Sequence, residues 1–194
     1  VFECSSVVFE REARDYYSLK LFLLNYFNSL CSVGEYIIQI TRTQTQVHGG
    51  IFTQDNVTLD DIRKIKRNGE PPESGPFCDM LWSDPSPRPG RHPSKRGVSS
   101  KEFGEDVTKA FLKHNNLDLV VRSHEVKQEG YEVMHDGKCV TIFSAPNYCD
   151  QMGNKGAIMI FDKEMVPTFR QFNAVEHPPI KPMAYAQMAN QFGF

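Results

Sequence analysis

The sequence has no CxxC pair, no long apolar run and no excess of charge of either sign. Its cysteines, at positions 4, 31, 78, 139 and 149, are odd in number and widely spaced, which excludes a disulfide framework and a structural zinc site of the CxxC type. The apolar stretch 19–27 is interrupted by Lys20 and Asn25. It is shorter than the roughly 20 residues of a membrane-spanning helix, and no signal-peptide cleavage pattern follows it. We therefore expect an intracellular protein that does not bind membranes, located in the cytoplasm and also in the nucleus.

The sequence also lacks a large net charge. The 22 basic and 24 acidic residues leave a formal net charge of −2, and no basic stripe occurs, which argues against nucleic acid as a main partner. The 194 residues, of which 40% are apolar and 24% charged, are typical of one soluble globular domain.

The chain changes character near Val47. Residues 9–30 are predicted to form a helix, although apolar side chains surround most of its circumference. Residues 36–40 are predicted as a short strand. The polar run 41–46, TRTQTQ, is poorly suited to a buried parallel strand, so we expect something other than a core strand before His48.

After Val47 the pattern alternates between short helices and strands. Thr58 is a predicted helix cap with Asp61 in the first turn and an end near residues 68–69. A short helical turn is expected at 77–82, and a proline-rich loop without regular pairing is expected to continue to Arg96. A helix at about 105–115 places Val107, Ala110 and Phe111 at core spacing.

The second half is predicted to be mainly strands. A buried strand at 117–121 ends just before Arg122-Ser123-His124. A hairpin follows, with strands at 130–134 and 139–143 and a turn in which Asp136-Gly137 supplies positive dihedral angles. Strands are then expected at 155–161 and 168–172, followed by a C-terminal helix at 183–192.

Two histidines are candidates for chemistry. His48 precedes Gly49-Gly50, which allow a sharp turn at the end of a strand, and His124 follows a buried strand. Polar groups at the carboxyl ends of strands reach the crevice where ligands bind in open sheets, and neutral imidazoles are good metal ligands. The alternatives are that His48 is a packing residue and that His124 donates to a carboxylate such as Glu125, with no metal.

Other candidates are an arginine and a tyrosine. Arg96 could grip two phosphate oxygens if its loop folds toward His124, and Arg122 is the competing candidate. Tyr148 could donate to a substrate oxygen or pack in the core. Cys149 is rejected as a nucleophile because no phosphate-cradling loop that closes on an arginine follows it. Asp84 is expected to organise its loop rather than to act as a base.

Five ordered motifs then indicate a family: HGG at 48–50, LWSDP at 81–85, KRGV at 95–98, RSHEV at 122–126 and SAPNYCDQMGN at 144–154. Together they resemble the metallophosphoesterase-type serine/threonine protein phosphatases. EGYEV at 129–133 and the segment 175–186 are most similar to the type-5 branch, and the resemblance covers residues 47–194. It implies an α+β fold in which a β-sandwich is flanked by helices, and this chain would supply the C-terminal half of that catalytic domain.

The resemblance also assigns roles. It implies two divalent metal ions, manganese or iron and zinc, and a metal-bridging hydroxide that attacks phosphoserine or phosphothreonine in protein substrates. His48 and His124 match ligands of one metal, and His124 also faces the substrate. Arg96 and Tyr148 match the catalytic residues that bind the phosphoryl group and line the site. A type-5 protein would also bind a heat-shock chaperone through a helical-repeat domain, which we expect this chain to lack.

One departure from the family pattern shapes the functional expectation. The signatures GDxHG, GDxVDRG and GNHE, which supply the other metal ligands in the family, do not occur in residues 1–46. We therefore expect residues 1–46 to be an atypical segment from an alternative exon, a retained intron or an incorrect gene model, and residues 47–194 to be a partial catalytic domain with a C-terminal helix. Little activity is expected from this chain alone, and the alternative is a noncatalytic fragment that binds proteins. A metal-dependent esterase for small phosphates is disfavoured by LWSDP and SAPNYCDQMGN.

Overall fold

The computed structural model describes residues 6–9, 37–41, 44–66, 69–162 and 165–176, which form two main β-sheets with helices. The smaller sheet has the strand order β1-β9-β10, formed by β1 (Ser6–Phe9), β9 (Gly156–Phe161) and β10 (Pro167–Phe172). β1 runs parallel to β9, whereas β10 is antiparallel to β9.

The larger sheet carries three parallel strands at its centre. Its order is β2-β3-β6-β8-β7, formed by β2 (Ile37–Thr41), β3 (Gln44–Val47), β6 (Leu119–Arg122), β8 (Cys139–Ile142) and β7 (Tyr131–Met134). β3, β6 and β8 are parallel, and β2 and β7 pair antiparallel at the two edges. The carboxyl ends of β3, β6 and β8 therefore meet at one edge of the sheet.

Side chains alternate across the larger sheet and so separate two apolar layers. Leu119 and Val121 of β6 form a buried cluster with Met159 and Phe161 of β9, which places this layer between the two sheets. Val120, one residue out of phase, belongs to a second cluster with residues of the helices. The architecture is an α+β sandwich with helices on the outer face of the larger sheet.

The polar segment before His48 is a core strand, and the prediction against one was wrong. β3 lies between β2 and β6, and Thr45, Gln46 and Val47 are all buried. A strand in the middle of a sheet satisfies its backbone groups on both sides whatever its side chains are, and β-branched threonine fits a pleated surface. The strand predicted at 36–40 is confirmed as β2.

In the described part of the chain, three helices cover the outer face: α1 (Leu59–Arg63), α2 (Pro76–Trp82) and α3 (Glu105–Asn115). Thr58 and Asp61 form the predicted cap as a reciprocal capping box. α1 is shorter than predicted, because the amide of Ile65 bonds back to Ile62 and tightens the last turn to three-residue spacing. In α3, Val107 and Phe111 are buried as expected, but Ala110 is exposed.

Two further loop predictions can be compared with the structure. The proline-rich loop was predicted to lack regular pairing, but β4 (Arg91–Pro93) pairs antiparallel with β5 (Lys101–Phe103). The hairpin turn is confirmed, since His135, Asp136 and Gly137 all have positive φ angles. The other strands follow their predicted positions within a few residues.

Some predictions fall on parts of the chain that the structure does not describe. The helix predicted at 9–30, apart from Phe9 at the end of β1, and the C-terminal helix at 183–192 lie outside the described residues. The division at residue 47 stays a prediction. None of the helices in the described ranges is long and apolar enough to cross a membrane.

Candidate functional site

His48 and His124 lie side by side at the carboxyl edge of the parallel strands. His48 directly follows β3 and His124 follows β6 by two residues, and these strands are neighbours. The amide of Ser123 donates to the His48 carbonyl at 2.9 Å. The two imidazole rings stack with centroids 4.8 Å apart and planes inclined by 30°.

The loops after the two strands hold these rings in place. The Gly49 amide donates to the Met80 carbonyl at 2.7 Å, and a Cβ at position 49 would lie 2.5 Å from the backbone carbon of Leu81. Only glycine allows this close approach. His124 has a φ of 76°, an uncommon angle for a residue with a side chain and one found in functional loops.

Burial keeps both imidazoles neutral. Burial, followed by the charges of Arg122 and Arg96, lowers the pKa of His48 to about 4. Burial, followed by His48 and Arg96, lowers the pKa of His124 to about 3. At neutral pH both rings are therefore neutral, which is the state in which an imidazole binds a metal ion.

Nδ1 of His124 is the atom that best indicates a ligand. It is buried and has no hydrogen-bond partner within the described part of the chain. The alternative partner, Glu125, has its carboxylate 2.6 Å from Arg122 and 3.5 Å from Lys127. A buried polar atom without a partner is costly unless something unseen satisfies it, and a metal ion would do so.

Trp82 also contacts the histidine pair, and sequence reasoning did not single it out. Its ring meets that of His124 edge-on at a centroid distance of 5.3 Å, and it is 38% exposed. It stands at the end of α2 inside the LWSDP motif, and its position in that motif was the available signal.

Arg96 contacts both Asp84 and the backbone of His124. Its Nε donates to Asp84 Oδ2 at 2.6 Å and its Nη2 to Asp84 Oδ1 at 3.2 Å. Nη2 also donates to the His124 carbonyl at 3.0 Å. The loop of Arg96 thus folds toward His124, which was the condition for its proposed role. Burial favours a higher pKa for Asp84, but the bond from Arg96 and the charge of Arg122 hold that pKa below its ordinary value.

Arg122, the competing phosphate candidate, is enclosed. Its side chain is 0% exposed and forms ion pairs with Asp84 at 2.7 Å and Glu125 at 2.6 Å. The Arg96 side chain, by contrast, is 31% exposed. Of the two guanidinium groups, Arg96 is the one that a substrate can approach.

Tyr148 belongs to the loop that follows the third parallel strand. It begins the 3₁₀ turn Tyr148–Asp150, its amide donates to Asn154 Oδ1 at 2.8 Å, and its ring packs edge-on against Phe143 at 5.2 Å. Phe143 directly follows β8, so Tyr148 is anchored at the same edge of the sheet as the two histidines. Cys149 is exposed and has a φ of 55°.

The histidines fit part of a metal site. Neutral imidazoles and the unpartnered Nδ1 of His124 are suitable donors, but transition metals are usually held by four or more ligands. Across the described ranges, no group of three or more histidine, cysteine, aspartate or glutamate side chains could hold a metal ion. Within the described residues, the two imidazoles alone would not complete the ligand set of such a site.

Comparison with known proteins shows the family of the chain. Residues 8–128 match the model of the calcineurin-like phosphoesterase family, which is more than half of the chain. The chain belongs to the calcineurin-like phosphoesterases. The match includes residues 8–46 as well as the motif-bearing region. The α+β metallophosphoesterase fold expected from the motifs is confirmed, and members of this hydrolase family use divalent metal ions.

Individual proteins that are similar to this chain indicate one branch of the family. Human serine/threonine-protein phosphatase 5 is 65% identical over 148 residues, which are 76% of this chain and 30% of the human protein. Serine/threonine-protein phosphatase T of Trypanosoma brucei brucei is 54% identical over 181 residues, 92% of this chain and 38% of that protein. The chain thus spans well under half the length of these curated relatives, which are serine/threonine protein phosphatases by name.

A solved structure supports the same branch. A serine/threonine phosphatase from Saccharomyces cerevisiae, described as similar to human phosphatase PP5, superposes with a TM-score of 0.72 at 36% identity. The match covers 88% of this chain and 57% of the yeast chain. The resemblance to the type-5 phosphatases that the motifs indicated is confirmed.

Proposed function

We propose that this site takes part in the hydrolysis of phosphoserine and phosphothreonine in proteins. His48 and His124 are metal ligands, Arg96 holds the phosphoryl group, and Tyr148 and His124 face the substrate. The observation that carries the proposal is the pair of neutral, stacked imidazoles beside a partly exposed guanidinium. The phosphatases that are similar to this chain support the choice of substrate class.

Each residue has a physical task in this proposal. His48 and His124 would hold a divalent ion, which would make a hydroxide available near neutral pH and offset negative charge on the phosphoryl group. The depressed pKa values of His48 and His124 keep the imidazoles deprotonated for such ions. Arg96 carries a permanent positive charge, and its guanidinium binds oxygens of a group bearing roughly −1.5 to −2 charge. Asp84 holds the Nε and Nη2 edge of that guanidinium at the mouth of the site.

We further propose that the chain has little turnover by itself. The sequence lacks GDxHG, GDxVDRG and GNHE, and two imidazoles do not fix the geometry of a dinuclear centre. Phosphoprotein substrates, a heat-shock chaperone partner and a cytoplasmic and nuclear location remain proposals for the longer protein, because this chain spans 30% of its human relative.

A chimera separates the site assignment from the activity of the chain. Residues 47–194 would be joined to the upstream half of the human phosphatase 5 catalytic domain and assayed with manganese and a phosphothreonine peptide. We expect turnover that is abolished in His48→Ala and His124→Ala and reduced at least 100-fold in Arg96→Ala. His114→Ala, an exposed histidine on α3, is the matched control and should retain activity. A folded, active chimera that tolerates His124→Ala would refute the site assignment.

The unmodified chain is assayed in parallel. Turnover near the buffer background is expected. Substantial turnover that is lost in His124→Ala would overturn the proposal of low activity while supporting the assignment of His124.

The second candidate function is a noncatalytic binding module, favoured by the absence of the three signatures from the sequence. Such a module would compete with an intact phosphatase for phosphoprotein. Titrating the purified chain into active human phosphatase 5 tests this. A dose-dependent fall in peptide turnover supports the module, and unchanged turnover at a large excess of chain excludes it.

A further inference from the structure

Arg122 lies under the site and joins its three loops. It is the last residue of β6 and its side chain is fully buried. Its Nε donates to the Gly49 carbonyl, next to His48. One Nη donates to Glu125 and the other to Asp84. A single guanidinium thus contacts the loop of His48, the carboxylate that holds Arg96 and the residue after His124.

The bonds of Arg122 match the full donor capacity of a guanidinium. An arginine has five N–H donors in a fixed plane. Besides the three strong partners, Nη1 donates to Thr141 Oγ1 at 3.4 Å and Nη2 to the Ser83 carbonyl at 3.5 Å. Five donors therefore meet five acceptors from four segments of the chain. Lysine, with three donors on a flexible stem, could not reproduce this arrangement.

The link from Arg122 to Arg96 runs through one carboxylate. Asp84 Oδ1 accepts from Arg122 at 2.7 Å, and Asp84 Oδ2 accepts from Arg96 at 2.6 Å. The buried arginine fixes one side of the carboxylate, so the other side presents a defined surface to Arg96. Glu125 balances the charge of Arg122 at the other terminal nitrogen, at 2.6 Å, so that the charge of Asp84 also attracts Arg96.

We propose that Arg122 is a positioning residue that sets the orientation of Arg96 through Asp84. The proposal rests on the assigned role of Arg96 in phosphate binding. This role replaces the hypothesis that Arg122 binds phosphate, since Arg122 does not reach the surface. Arg96 would be held in its phosphate-binding orientation before the substrate arrives, which lowers the ordering cost of binding.

The side-chain Nε–H groups of Arg96 and Arg122 provide a direct test in the full chain. Hydrogen-exchange rates of these groups are measured by nitrogen-15 NMR without any ligand. In Arg122→Lys we expect the Arg96 Nε–H to exchange at least tenfold faster, beyond any change in the backbone amides of β8 and β9. A uniform rise at all sites would show a merely structural role and would overturn the proposal.

A second variant keeps the test valid if Arg122→Lys does not fold. In Asp84→Asn, with the amide oxygen kept on Arg122, an NH2 group replaces Oδ2 and cannot accept from Arg96 Nε. The Arg96 Nε–H should therefore lose protection. The Arg122 Nε–H, bonded to the Gly49 carbonyl, should keep it. An unchanged Arg96 signal in Asp84→Asn would refute the link. Thr141→Val is the matched control, since it removes a peripheral acceptor off this path, and Arg96 exchange should change less than twofold.

Inorganic phosphate is then titrated into the same samples. We expect affinity to fall about tenfold in Arg122→Lys and to stay within twofold in Thr141→Val. A wild-type chain that does not bind phosphate would count against the role of Arg96 in the proposed function. The positioning role of Arg122 would still be decided, because the exchange rates are measured without phosphate.

Discussion

The imidazole of His48 stacks on that of His124 at a centroid distance of 4.8 Å, although the two residues are 76 positions apart in the sequence. The stacking follows from the parallel pairing of β3 with β6, which brings the ends of these strands together. Both rings are largely buried, and one buried nitrogen of His124 is without a partner among the described residues.

Removing either ring is expected to weaken metal binding. In a zinc titration of the chain by calorimetry, we expect weak binding and a further loss of at least about tenfold in His48→Ala or His124→Ala. Each variant removes one of two donors, and loss of even an outer partner of a metal ligand typically costs about 10–100-fold. His114→Ala should leave the isotherm unchanged, since His114 is exposed on α3. Equal binding in the wild-type and His124→Ala proteins would exclude His124 as a ligand.

The pairing of the histidines could be anticipated from the sequence only in part. A buried strand ending at RSHE and a histidine before two glycines both indicated strand ends. The polar segment TQTQV, however, did not indicate the central strand that it contains. Its burial depends on neighbours on both sides, which a local pattern does not reveal.

The hydrogen bonds of Arg122 could be anticipated from the sequence even less. The acceptors of Arg122 come from residues 49, 83, 84, 125 and 141, which are dispersed along the chain. Asp84 was correctly expected to organise its loop, but no sequence signal named the two guanidinium groups that it joins. The sequence could not distinguish the buried arginine from the partly exposed one, because that depends on the fold.

His135 should make stability depend on pH. Its Nε2 lies 3.0 Å from the Ser86 carbonyl and its Nδ1 lies 2.8 Å from the Thr108 hydroxyl, and burial lowers its pKa below the ordinary 6.5. Below pH 6.5 the unfolded chain binds more protons at this residue than the folded chain does. The free energy of unfolding should therefore be highest above pH 6.5 and fall as the pH drops through the folded pKa.

Urea unfolding between pH 8 and pH 5 checks this expectation in the wild-type protein and in His135→Asn. Asparagine tolerates the positive φ of 54° at this turn. The variant should be less stable at pH 8. Its stability should fall less on acidification, because His135 no longer contributes, but it should still fall because other buried histidines do. Parallel curves for the two proteins would contradict the assignment to His135.

Gly49→Ala is expected to disturb the histidine loop. A Cβ there would lie 2.5 Å from the Leu81 backbone carbon, so the backbone itself must move, at a cost of about 3 kcal/mol. Gly137→Ala is the comparison, because its Cβ would meet nothing within 4 Å and only the φ of 76° is unfavourable. We expect it to cost about 1–2 kcal/mol. Chemical denaturation ranks the two variants, and a smaller loss for Gly49→Ala would argue against close packing of this loop.

Thr45→Val is expected to stabilise the protein. Thr45 is 0% exposed in β3, and its hydroxyl has no hydrogen-bond partner in the described part of the chain. Replacing that hydroxyl by a methyl group removes an unsatisfied buried polar atom and should raise the free energy of unfolding by about 1 kcal/mol. Thr108→Val is the matched control, because Thr108 is equally buried but bonds to His135 at 2.8 Å. It should lose about 1 kcal/mol, so the same chemical change should have opposite signs at the two sites. If Thr45→Val is also destabilising in urea, its hydroxyl is satisfied in solution.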